Sequence, residues 1–264
     1  MMSTWKINSV GKKPKLKNTV LIEGLPGIGN VGKIVVDFII DELNAKKIYD
    51  ITSYTFPHSV FINEKNLVEL PKIEIYYKKG KQKDLLFLAG DVQPIDEVSS
   101  YEFADKVLDM AQQFNCKEII TLGGVGLADI PKHPKIYCTA NTKSIIKRYK
   151  NGINLDEHLY GVVGPVIGVT GLLLGLAQKR KIQAISFLAE TYGHPMYLGI
   201  KGAREILTIL NKKLNLNIKL SKLDKEIKGI DKELMRRTEQ LSEVTKTTAI
   251  KKLKGKIKEM DYIG

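Results

Sequence analysis

The sequence predicts an α/β domain, a mixed and mostly parallel sheet sandwiched by helices, followed by a basic helical tail. Three patterns carry this. Short apolar runs of β-branched character alternate with stretches of helical periodicity, as in the βα units of parallel sheets. Residues 59–90 break the alternation with four strand-like runs, which adds antiparallel pairs. Beyond residue 215, apolar positions recur every three or four residues among lysines, as in an amphipathic helix. The expected organisation is one domain at 15–215 and a tail at 216–264.

The elements follow in order. Residues 19–23 (TVLIE) read as a buried strand. After a Gly/Pro turn, Ile34, Val35, Phe38, Ile39 and Leu43 repeat at helical spacing. Residues 47–54 read as the next strand. Strand-like runs at 59–62, 67–70, 72–77 and 84–89 are separated by the turns NEKN and KKGKQK. Phe103, Val107, Leu108, Ala111 and Phe114 share one face of a helix over 99–114. A strand at 118–122 is expected to end at Gly123-Gly124-Val125-Gly126. A strand at 136–140, a helix at 142–150 and a Gly-rich stretch feeding a helix follow. A strand at 183–189 and a helix at 203–214 close the domain. In the tail, Leu220, Leu223, Ile227, Ile230 and Leu234 step by three and four, and Leu241 and Val244 continue the register. That seam fits either an amphipathic helix packed on its own domain or a self-associating coiled coil.

Composition narrows the function. Net charge is +13, and its location decides its meaning. Residues 1–17 carry five lysines and no acid, and residues 211–264 carry 15 bases against 8 acids, so residues 18–210 are nearly neutral. A near-neutral body argues against a groove for phosphate backbones, hence against specific nucleic-acid binding. Basic ends fit flexible arms that touch RNA or membranes without specificity. Cys116 and Cys138 form no metal-ligand pattern and read as buried thiols of a reducing, cytoplasmic compartment. The N-terminus lacks the apolar core of a signal peptide. The most apolar stretch, 161–177, is too short and glycine-rich to span a membrane and reads as a buried loop and helix.

The turn after the first strand is the leading candidate for chemistry. Gly27, Gly29 and Gly32 spell GxGxxG between a strand and a helix, the context of a dinucleotide fingerprint. Gly27 to Lys33 also fits GxxxxGK, but Ile34 stands where a phosphate loop needs Ser or Thr for magnesium. The competing reading is that these glycines allow a tight turn and close helix–strand packing. Gly123, Gly124 and Glu190 end later strands, where α/β proteins place ligands. His58, His133, His158 and His194 are scattered, and no metal site is expected.

GLPGIGNVGK, DVQP with YEFADKVLD, EIITLGGVG, TGLLLGLAQK and SFLAETYGHP occur in this order. Together they resemble an archaeal family related to eukaryotic proteasome-assembly chaperone 2, whose members are also labelled ATP-grasp-like. The resemblance covers about residues 15–215. It implies a nucleoside-phosphorylase-like sandwich, homo-oligomers and an ATP-independent role, without a cofactor, in building or engaging the 20S proteasome or its α-subunits. It also implies glycine motifs that shape the fold. Two departures stand out. His194-Pro195-Met196 replaces an acidic position near the proline, and the docking pattern of a penultimate tyrosine is displaced. Tyr262, Ile263 and Gly264 are the candidate docking residues, their carboxylate and ring suited to a partner pocket. The rival to a non-enzymatic chaperone or adaptor is a nucleotide- or nucleoside-dependent enzyme, ligase- or phosphorylase-like, using the Gly-rich loops.

Overall fold

The computed structural model describes residues 4–156, 158–159, 164–225, 227 and 229. The chain divides into two units, Met1–Leu220 and Ser221–Gly264. In the second, residues 221–225 are helical. Most of the seam expected at 220–244, the arms and terminal lysines of the tail, and Tyr262, Ile263 and Gly264 lie outside the described residues.

The first unit is built on an eight-stranded sheet in the order β1-β3-β6-β7-β2-β8-β10-β9. The strands are β1 (Lys6–Ser9), β2 (Thr19–Gly24), β3 (Lys46–Thr52), β6 (Ile73–Lys78), β7 (Leu85–Gly90), β8 (Cys116–Leu127), β9 (Ile136–Ala140) and β10 (Gln183–Tyr192). A separate hairpin pairs β4 (Phe61–Ile62) with β5 (Val68–Glu69). β7, β2, β8 and β10 form a parallel core. β6, β3 and β1 continue it antiparallel on one flank, and β9 on the other.

The helices are α1 (Val31–Leu43), α2 (Glu97–Gln113), α3 (Lys143–Lys150), α4 (Val169–Lys179) and α5 (Ile200–Leu214). α2 and α4 pack together over one face of the sheet, and α1 and α5 over the other. The sequence explains why. Every residue of β2 (TVLIEG) and β7 (LLFLAG) is buried, as strands covered on both faces must be. On α2, Phe103, Val107, Leu108 and Ala111 form the buried stripe, and Asp96 caps the helix by accepting from Ser99 N at 2.9 Å. Fully buried Phe87, Phe103 and Phe187 each contribute about 2–3 kcal/mol of apolar transfer.

Five expectations need correction. The N-terminal basic segment is no free arm, because β1 pairs with β3, and Trp5 is buried with its ring 4.6 Å from Phe103 and 5.6 Å from Phe56. β8 runs through Gly123-Gly124-Val125-Gly126 instead of ending there, and β10 continues through Glu190 to Tyr192. The two strands pair in register along that whole extension. Within the apolar stretch at 161–177, the described loop residues 164–168 are not buried, and Ile167 is 82% exposed. α3 begins at Lys143, one residue later than expected.

Among the described residues no helix is long and apolar enough to cross a membrane. Both cysteines are buried and neither forms a disulfide among the described residues, and burial pushes the Cys116 thiol up to about 11, so it stays protonated.

Candidate functional site

A cavity of about 340 Å³ opens at the carboxyl ends of β2, β8 and β10. This is where the connection from β2 and the connection from β8 diverge, the crevice in which open α/β sheets hold ligands. Gly27, Gly32, Gly123 and Gly124 line it, with Leu25, Ile28, Leu122 and Leu188 from the strand ends and Val166, Ile167 and Thr170 from the entry to α4.

The glycines act in two different ways. Gly29 takes a left-handed φ of 63°, and a Cβ there would sit 2.6 Å from Thr191 Oγ1. Its carbonyl accepts from Gly199 N at 2.7 Å, joining the β2–α1 turn to the β10–α5 turn. At Gly32 a Cβ would meet Leu122 O at 2.6 Å, so α1 rests directly on β8. Gly124 likewise admits Ile28 O and lies against Thr191. Gly27 differs. Its backbone is extended, and the nearest atom to a Cβ would be Gln93 Nε2 at 4.0 Å. Close packing therefore explains Gly29, Gly32 and Gly124, and the cavity keeps Gly27 open.

Beneath the cavity a polar row crosses the sheet. Glu23 on β2 is in register with Thr121 on β8, and Thr121 with Ser186 on β10, so all three point to the α2/α4 face. Glu23 is fully buried. Its carboxylate accepts from Leu25 N at 3.0 Å and from Thr170 Oγ1 at 3.2 Å. Burial pushes its pKa up to about 7, and those hydrogen bonds offset only part of the desolvation. The hydroxyls of Thr121, Ser186 and Thr191 are buried without a hydrogen-bond partner among the described residues. Gln93 from DVQP spans the cavity wall. It donates through Nε2 to Pro26 O and accepts from Val169 N at 3.1 Å.

Two sequence candidates turn away from the cavity. The Lys33 ammonium of the GxxxxGK match binds Asp37 at 3.0 Å, Asp91 at 3.2 Å and Gly90 O at 3.1 Å. Burial disfavours its charge, but the two carboxylates outweigh that and raise its pKa. Glu190 accepts from Lys135 N at 3.0 Å and from Tyr137 Oη at 2.9 Å, so it fastens β9 to β10 outside the cavity. Burial and this carboxylate push Tyr137 up to about 12. Glu23 and Gln93 were missed in the sequence. The signal was there for Glu23, as an acid in an otherwise apolar run. For Gln93 the fold alone supplies the role. No group of three His, Cys, Asp or Glu suited to a metal occurs among the described residues.

This fold has counterparts among known proteins. The chain belongs to the PAC2 family, whose model matches residues 21–237. It is similar to the crystal structure of Pyrococcus furiosus PbaB, described as an archaeal proteasome activator. The identity is 33% and the TM-score 0.80, over 90% of this chain and 100% of that one. It shares its fold with Pyrococcus furiosus PbaA, an archaeal homolog of proteasome-assembly chaperone, at 24% identity and a TM-score of 0.72, covering 97% and 99% of the two chains. Uncharacterized protein MJ0106 of Methanocaldococcus jannaschii is 30% identical over 86% of this chain and 89% of its own.

Proposed function

We propose that this protein is a proteasome assembly chaperone or proteasome-binding adaptor that acts through protein–protein contacts. The observation that carries this is the 33% identity, along 90% of the chain, with a protein described as an archaeal proteasome activator. The site supports it. The lysine of the phosphate-loop pattern is held by Asp37 and Asp91, and three of the glycines serve helix–strand contact. The rival reading, a nucleotide- or nucleoside-using enzyme, finds its candidate groups already engaged. On this reading the protein is cytoplasmic, a homo-oligomer, and a partner of the 20S proteasome or its free α-subunits. Tyr262, Ile263 and Gly264 are its docking residues, and the crevice beside Gly27 leaves room for a small ligand.

Co-elution of the purified protein with purified 20S proteasome, and separately with free α-subunits, tests the proposal. A stable complex with either is expected, and its absence with both overturns the reading. Removal of residues 262–264 is expected to abolish capture at low and moderate salt alike. Calorimetry with Mg-ATP is expected to show no binding tighter than about millimolar, and a micromolar constant would revive the enzyme.

A further inference from the structure

Residues 18–210 sum to nearly zero charge, but the fold sorts that charge by end. β2, β7, β8 and β10 run in one direction, and β3 runs with them because it is antiparallel to β6, itself antiparallel to β7. The segments entering these strands therefore share one end of the sheet, the amino end. There, connections 10–18, 79–84 and 180–182 carry nine Lys or Arg and one acid. At the opposite end, connections 25–30, 53–72, 91–96, 128–135, 164–168 and 193–199 carry four lysines and five acids.

The basic loops are fixed in place. Segment 10–18 leaves β1 at the sheet edge and enters β2, so it carries four lysines across the amino ends of β3, β6 and β7. Val10 N donates to Ile48 O at 2.8 Å. The one acid, Asp84, is buried and accepts from Lys17 N at 2.7 Å and from Gly80 N at 3.0 Å. It clamps the two lysine loops side by side through their backbones and neutralises no ammonium group. Lys12, Lys15, Lys79, Lys81, Lys117 and Lys143 are exposed, and none has an ion-pair partner among the described residues. Lysines near a helix C-terminus offset its dipole, but segments 10–18 and 79–84 join strand to strand. The other acids near this end are Asp41 and Glu42 on the last turn of α1, and Asp105 and Asp109, which hold Arg180.

We propose that the amino end of the sheet binds the phosphate backbone of double-stranded nucleic acid without regard to sequence. Such binding needs cations at phosphate spacing and little else. The face offers little else. Of the sixteen large apolar side chains exposed among the described residues, Val10 alone lies at this end. A protein partner calls for aromatic or arginine anchors and selects against lysine, and both arginines here, Arg148 and Arg180, are already held by carboxylates. A membrane surface calls for an apolar element to insert beside the charge. A single strand calls for exposed rings on which bases stack, and the exposed rings of Tyr54, Phe61 and Tyr101 lie at the other end. Eight strands leave seven spacings, about 34 Å in all, close to one turn of a duplex.

The test titrates the full chain into a labelled DNA duplex of about two helical turns, and into the RNA duplex of the same sequence. Both are expected to bind, with affinity falling about a thousandfold between about 50 and 200 mM salt, as for about six phosphate contacts. Lys12→Gln, Lys15→Gln, Lys79→Gln and Lys81→Gln together should lower the slope of log affinity against log salt by about 3 to 4 and weaken binding about a hundredfold at low salt. Their thermal melt should match wild type, since all four side chains are exposed. Lys117→Gln with Lys143→Gln, placed under other strands, should lower the slope by about 2. Lys65→Gln with Lys132→Gln, at the carboxyl end, should leave binding unchanged. Residues 221–264 are basic too, so Lys251→Gln, Lys252→Gln, Lys254→Gln and Lys256→Gln form the comparison set and should lower the slope less than the first four. Affinity for only one of the two duplexes upholds the face and names its source. No complex with either duplex at low salt overturns the proposal, as does a slope that only the comparison set lowers. Tighter binding to a single strand overturns it as well. Without duplex binding, capture of phosphatidylserine vesicles that the first four substitutions abolish assigns the face to membranes, and proteasome capture lost in the same variant assigns it to the proteasome.

Discussion

The two ends of the sheet are built by different means. At the amino end, helices stop on left-handed asparagines, Asn44 after α1, Asn115 after α2 and Asn215 after α5. Loops there are polar and basic. Glu118, only 5% exposed at its side chain, gathers Lys83 at 3.1 Å, Arg148 at 2.7 Å and the Tyr149 hydroxyl. At the carboxyl end, backbone meets backbone through glycine, the polar row is left partly unpaired, and apolar side chains face outward. The amino end is closed by charge and caps. The carboxyl end is closed by shape and leaves apolar side chains exposed.

The comparison can be broken at four places. Gly124→Val forces a side chain against Ile28 O and Thr191, and about 4 kcal/mol of stability should be lost in urea unfolding, whereas Gly27→Ala, open to about the distance of Gln93, should change stability by less than about 0.5 kcal/mol. Equal losses at the two glycines would remove the distinction between packing and cavity. At the other end, Glu118→Ala leaves the Tyr149 hydroxyl buried without its acceptor and separates Lys83 and Arg148 from their anion. A loss of about 3 kcal/mol is expected, discounted because both cations are partly exposed.

Glu23 offers a pH test. Its pKa is raised in the folded protein from 4.5 to about 7, so the folded state holds the proton more tightly than the unfolded chain. Its contribution is most favourable below pH 4.5 and is lost as pH rises toward 7, by about 3 kcal/mol at most. Unfolding midpoints of Glu23→Gln across this window should decline less than those of wild type, and parallel declines would assign the proton elsewhere. The smallest effect belongs to the caps. Asn44, at φ 48°, should lose about 1 kcal/mol when replaced by alanine and little or nothing when replaced by glycine, measured by thermal melts.

Much of the fold was legible where the two-sided burial of a strand leaves an unbroken apolar run. Ile136–Ala140 emerged with its expected bounds, and β2 and β7 within a residue. The meander at 59–90 was read as four strands of similar standing, yet two join the sheet and two form the small hairpin. Pairing of that kind depends on neighbours, not on local pattern. β1 escaped notice because four residues, KINS, are too few to show alternation and lie among lysines. Glycines at 123–126 suggested a strand end because they lack side chains to pack. In the structure Ile28, Leu188 and Thr191 fill the space a side chain would occupy, so the strand continues. Glu190 lies inside β10, and nothing local foretells that Tyr137 and Lys135 face it.

The position of β2 bears on how the molecule comes into being. It is the first strand of the parallel core, and its neighbours are β7 and β8, with Thr19 paired to Cys116. A chain leaving the ribosome thus carries a buried, mostly apolar TVLI segment without either flanking strand until β7 emerges, and without both until β8 does. Such distant pairing slows folding and prolongs the time in which an edge can join the wrong partner. α1 follows β2 directly and covers one of its faces with Val35, Val36 and Ile39. The opposite face waits for α2 and α4, which makes the nascent stretch up to residue 179 the interval in which this protein would itself profit from a chaperone.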